Sequence, residues 1–195
     1  MAATRLKFIE IATHQFAARG FYGVSIAQIA AEAGLSKQAL LHHFRSKEKL
    51  YAEVLKTISD EFIQALPNSA DDSAGTKEKI ADAFCGFYRT ARENSAVTSL
   101  LVRELLDNKR RSETADVWFL KPFLDSLVRL IQSDPKGKKI GELESLAFVY
   151  QLISIIHYFV ISKPTLARMY EVKTYTALEK GYEDNIRSLI YARLS

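Results

Sequence analysis

The sequence predicts an all-α fold of about nine helices, and three observations carry that prediction. Apolar residues recur at helical spacing over most of the chain, beginning with Phe8, Ile9, Ala12, Phe16 and Ala17. No strand-like alternation persists anywhere. Residues Ser25 to Lys49, SIAQIAAEAGLSKQALLHHFRSKEK, read as a helix-turn-helix with a third helix braced behind it.

Taken in order, the first helix carries the Phe8 to Ala17 stripe and ends near Gly20. Ser25 caps a second helix whose Ile26, Ile29, Ala30 and Ala33 fall on one face. Gly34 stops it, because a tight helix-to-helix turn needs the left-handed backbone that glycine adopts readily. Leu35 is expected to plug the corner, and Ser36 to cap the third helix. There Leu40 and Phe44, four apart, point inward, while Lys37, Gln38, Leu41 and His42 occupy the side where a recognition helix meets base edges. Ala30 is small where the two helices cross. Ser46 caps a fourth helix, from Lys47 to about Ala65, with Lys47 and Lys49 in its first turn. The helix macrodipole disfavours lysines there, but a docked phosphate would favour them. Glu48 offsets part of that charge.

The pattern stays helical beyond. PNSADDSAGT is a polar loop, followed by helices over Thr76 to Glu93 and Val97 to Asp107. NKRRSE is a turn. A long helix spans roughly Ala115 to Gln132, with Pro122 either kinking it or marking a later start. SDPKGKKIG reads as a loop, then a helix covers Glu142 to Ser162. A short helical piece follows Lys163-Pro164, and the last helix runs from about Thr174 to Arg193. Residues 145–162 carry no charge over eighteen positions, the lower length limit for a membrane span. Three serines, a glutamine and a histidine argue against a span and for a helix covered on all sides, half by a second subunit. Leu152, Ile155, Ile156 and Phe159 are expected at that subunit seam, joined by the apolar stripe of the last helix.

Charge is uneven. The formal net charge is +4, and residues 1–56 hold all of it, with eight basic residues against four acidic ones. A basic head on a neutral body suits a polyanion-binding module. The single cysteine, Cys85, excludes an internal disulfide and reads as a buried, inert thiol. MAATRLKF enters an amphipathic helix without an apolar signal segment, so the expected location is the cytoplasm. Chemistry finds no foothold: His42 and His43 are neighbours that project about 100° apart and cannot chelate one metal. P-loop, GxSxG and dinucleotide-binding signatures are lacking, so no catalytic residue, metal or cofactor is expected, and the chain does not read as an enzyme.

The run FAARGFYGVSIAQIAAEAGLSKQALLHHFRSKEKLYAEVL resembles the N-terminal domain of the tetracycline-repressor (TetR) family of transcriptional regulators. The resemblance implies a helix-turn-helix DNA-binding domain over residues 1–50 and a helical ligand-binding and dimerisation domain over 51–195. It implies a homodimer on a palindromic operator in double-stranded DNA, a repressor released by a small-molecule effector. The expected DNA contacts are Ser25, Ser36, Lys37, Gln38, Leu41, His42, Lys47 and Lys49, with Arg5 and Lys7 of the leading arm as further phosphate contacts. Family members usually carry an aromatic residue, most often tyrosine, where this chain has Leu41; leucine can pack on a thymine methyl but donates no hydrogen bond. Phe84, Tyr88, Trp118, Phe123, Tyr150 and His157 are the candidate lining of an effector pocket, with Phe87, Phe119 and Tyr158 among the same aromatics. The effector would be largely apolar, and no membrane is expected as a partner. The alternative, motivated by Leu41, is a helical interaction protein of the same fold that has lost operator binding.

Overall fold

A computed structural model describes residues 2–66, 75–107 and 120–195, and every regular element among them is a helix. Eleven helices follow in chain order: α1 (Ala2–Arg19), α2 (Ile26–Glu32), α3 (Lys37–Phe44), α4 (Lys47–Gln64), α5 (Thr76–Glu93), α6 (Ser95–Asp107), α7 (Lys121–Gln132), α8 (Pro135–Ile161), α9 (Lys163–Met169), α10 (Glu171–Lys180) and α11 (Tyr182–Arg193). The number exceeds the expected nine chiefly because the last helix breaks at Gly181, giving α10 and α11. The NKRRSE turn, most of the PNSADDSAGT loop (67–76), and Trp118 and Phe119 lie outside the described residues.

Contacts group the chain into two compact units. The first joins Met1–Glu61 to the segment Ala96–Leu120. Its core is the α1 stripe of Phe8, Ile9, Ala12, Phe16 and Ala17 against Ile29, Ala30, Leu40, Phe44, Leu50 and Val54, all buried. Tyr51 stands edge-on to Phe16, with ring centroids 4.9 Å apart. From α6, Glu104 accepts a hydrogen bond from the Tyr51 hydroxyl at 2.7 Å.

The second unit joins Phe62–Ser95 to Lys121–Ser195. Here α5 packs on α8 and α11, and α7 lies along α8. The α7–α8 turn is tight: a Cβ on Gly137 would fall 1.9 Å from the Ile131 carbonyl oxygen, so no larger residue fits. SDPKGKKIG is therefore mostly helix rather than the expected loop. Asp134 caps it by accepting from the Lys136 and Gly137 amides, Pro135 opens it, and the break comes later, at Gly141 (φ 80°, ψ 171°). At the other expected boundary, α7 begins at Lys121 with Pro122 in its first turn, the later start that proline permits.

The orientation of α8 corrects the expected seam. Leu152, Ile156 and Phe159 are buried inside their own unit, not held out for a partner. The outward face carries Leu143, Leu146, Tyr150 and Tyr158 instead, with Leu143 80% and Tyr158 73% exposed. By length and composition α8 could cross a membrane, but it has the one-sided burial of a core helix. On α11, Arg187 bridges Glu78 and Asp82 at 2.7 and 2.5 Å, tying the last helix to α5. Cys85 is buried, its thiol pushed up to about 11 by desolvation, with Sγ against the Glu183 carbonyl oxygen.

Candidate nucleic-acid interface

The candidate interface is built by caps. Ser25 and Gln28 form a reciprocal capping box at the start of α2: the Gln28 amide donates to Ser25 Oγ, and the Ser25 amide donates to Gln28 Oε1. At the other end, the Gly34 amide donates to the Ala31 carbonyl and the Leu35 amide to the Ala30 carbonyl, with Gly34 at φ +69°. This pair of bonds satisfies carbonyls that a helix end leaves orphaned. Leu35 closes the turn through its backbone amide. The residue is 39% exposed, so it covers the corner only in part and is no buried plug. Ser36 then caps α3, accepting from the Ala39 amide at 3.1 Å.

Helix α3 splits as its spacing requires. Leu40 and Phe44 are buried, whereas Lys37, Gln38 and His42 are exposed and Leu41 is half-buried. Ala30, at the crossing, is 1% exposed. His43 turns inward, its ring 5.8 Å from that of Phe8, so the two adjacent histidines serve different faces.

Cations of this unit divide into two sets. Arg5 pairs with Glu53 at 2.5 Å and lies over the Phe44 ring, and Lys7 donates to the Ala33 carbonyl at 3.0 Å. Both expected leading-arm contacts are thus used to hold the fold. Lys47 sits with its ammonium 4.3 Å from the centre of the Phe21 ring, and partial burial lowers its pKa. Lys49 is exposed, its amide donating to Ser46 Oγ at the start of α4. Glu48 is held below the ordinary carboxylate range by a backbone hydrogen bond and by Ser46. Arg45, not among the expected contacts, closes α3 with φ +59°, and its side chain is exposed. Its only sequence signal is a cation directly after the recognition helix.

The expected effector residues do not converge. Phe84 is wholly buried on α5. Phe123 and His157 share Phe87 as a neighbour, with ring centroids 5.4 and 5.3 Å from it. Tyr88 belongs to a separate stack with Tyr182 and Phe159, and its hydroxyl donates to the Glu179 carbonyl at 3.5 Å. Tyr150 is half exposed on the outward face of α8, and Trp118 lies outside the described residues. His157 is buried with Nε2 unpaired, and desolvation pushes its pKa down to about 4.

Comparison with known proteins agrees with the first unit. Residues 8–54 match the family model described as bacterial regulatory proteins, tetR family. The chain is 28% identical over 162 residues to the HTH-type transcriptional regulator RutR of Escherichia coli, covering 81% of this chain and 74% of RutR. It is 28% identical over 95 residues to the HTH-type transcriptional repressor KstR2 of Mycolicibacterium smegmatis, a match spanning 49% of this chain and about half (46%) of KstR2. A TetR-like transcriptional regulator from Rhodococcus sp. RHA1 superposes with a TM-score of 0.67 at 21% identity, over 98% of this chain and 95% of that one. The capped helix pair, the split of α3 and these matches agree: residues 8–54 belong with the tetR family of bacterial regulatory proteins, and the chain as a whole is similar to transcriptional regulators.

Proposed function

We propose that the protein is a dimeric, sequence-specific DNA-binding repressor whose operator complex is dissolved by a small-molecule effector. Residues 1–50 bind DNA and residues 51–195 bind the effector and dimerise. The observation that carries this reading is α3: both its ends are fixed, Leu40 and Phe44 anchor it, and Lys37, Gln38 and His42 stand exposed together. Lysine suits guanine O6 and N7, glutamine suits adenine N6 and N7, and Leu41 offers an apolar contact to a thymine methyl. Ser25, Ser36, Lys47 and Lys49 position the helix on phosphates.

The outward face of α8 supports the dimeric reading. Leu143, Leu146, Tyr150 and Tyr158 line it, and a groove of ≈ 400 Å³ between α8 and α11 is bounded by Ala147, Gln151, Leu189 and Ala192. An apolar face of this length on one chain is covered economically by the same face of a second, and a two-fold dimer would relate two recognition helices by its axis. The effector binds the second unit and acts by binding one dimer geometry better than the other.

An electrophoretic shift of the full chain on operator-like and random duplexes at two salt concentrations tests the reading. A regulator gives a sequence-specific complex that weakens steeply with salt. A chain that shifts neither duplex at low salt is a helical interaction protein, the reading Leu41 would favour.

A further inference from the structure

We infer that Arg45 is an anchor for a DNA backbone phosphate, a contact set by the junction between α3 and α4 rather than by either helix. The inference rests on the DNA-binding reading above. Three observations lead to it.

The first is an accounting of charge. Of the eight basic residues in positions 1–56, four are engaged within the protein: Arg5 by Glu53, Lys7 by the Ala33 carbonyl, Lys47 by the Phe21 ring and Lys56 by Asp60. Arg19, Lys37, Arg45 and Lys49 have no side-chain partner among the described residues. The second is place. Arg45 is the exposed C-cap residue directly after the recognition helix α3, on the two-residue junction that leads into α4. Lys49 lies one turn further on, at the start of α4. Phosphates line both edges of a groove, and a cation at the end of a helix in that groove meets one of them.

The third is backbone. Arg45 has φ +59° and ψ −36°, its amide bonded to the Leu41 carbonyl and the next amide, of Ser46, to the Phe44 carbonyl at 2.6 Å. An L-residue disfavours that conformation, and glycine adopts it freely. For folding alone glycine is the better residue here. An arginine makes sense where its guanidinium acts on something outside the chain, and a planar fork of donors matches a phosphate.

The test separates folding from binding. The full-length Arg45→Gly and Arg45→Lys variants are titrated against a fluorescent random-sequence 30-base-pair duplex (about three helical turns) between about 50 and 200 mM salt. Arg45→Gly should melt no lower than the wild type yet bind more weakly. Its plot of log affinity against log salt should be shallower by about one, so its deficit should narrow about threefold across that range. Arg45→Lys keeps the charge and should keep the slope. An Arg45→Gly slope equal to that of the wild type overturns the inference while leaving the DNA-binding reading intact. A wild type that fails to bind the duplex at the lower salt overturns both.

Discussion

Acid should find His157 before it finds most of the core. The imidazole is buried, its Nε2 has no hydrogen-bond partner, and desolvation alone pushes its pKa from 6.5 down to about 4. The unfolded chain therefore binds a proton, as pH falls below 6.5, that the folded chain refuses until near pH 4. Stability held above 6.5 is lost across that window, with a ceiling of about 3 kcal/mol and about 2 kcal/mol already gone at pH 5. Carboxylates and the other histidines also titrate, so the measurement is a difference. Urea unfolding of the wild type and His157→Leu is compared at about pH 7.5 and pH 5, at one protein concentration because association adds to apparent stability. Leucine has a similar volume and leaves no buried nitrogen unpaired, so the variant should be at least as stable at the higher pH. Its advantage should then grow by about 2 kcal/mol on acidification. An advantage that stays constant between the two pH values would refute the claim that His157 is held neutral by burial.

The remaining expectations concern DNA and association. Gln38→Ala should cost about 1–3 kcal/mol at the operator and relax preference at one base position, read by a base-substitution scan; full retention of preference removes Gln38 from direct readout. Lys49→Ala should weaken specific and random duplexes alike and make the salt slope shallower by about one, and a changed sequence preference at an unchanged slope would contradict a phosphate role. Tyr158→Glu, on the outward face of α8, should give a folded monomer by sedimentation, whereas Ile156→Glu buries a charge in the unit's own core and should abolish folding. A dimeric Tyr158→Glu protein moves the seam off this face.

How much of this was legible depended on contrast along the chain. In the first unit it was sharp: Ser25, Gly34, Ser36 and Ser46 mark helix ends by their chemistry, and the expected boundaries of α2, α3 and α4 agree with the structure to within a residue or so. Leu40 and Phe44 could be placed inward because they lie four apart, with Lys37, Gln38 and His42 on the other side of the helix. Helix α8 offered no such contrast. It is apolar on every side, so periodicity could not say that Val149, Leu152 and Ile156 face inward and Tyr150 and Tyr158 outward. Its first turns were missed because two glycines and three lysines outweighed the Asp134-Pro135 start signal. The internal roles of Arg5 and Lys7 depend on partners 48 and 26 residues away, which spacing within one helix does not reveal.

The tie between Tyr51 and Glu104 bears on how this protein can be taken apart. Residues 96–120 belong with the helix-turn-helix unit although 34 residues of the other unit intervene in the chain. A hybrid regulator made by joining residues 1–50 to a foreign body would leave behind Glu104 and the guanidinium of Arg103, which lies beside Gly20 at the end of α1. It would also lose Tyr51, Val54 and Ile58, three buried residues from the outer half of the same packing. Swapped specificity is better engineered by grafting the exposed residues of α3 into an intact chain than by exchanging the N-terminal segment as a cassette.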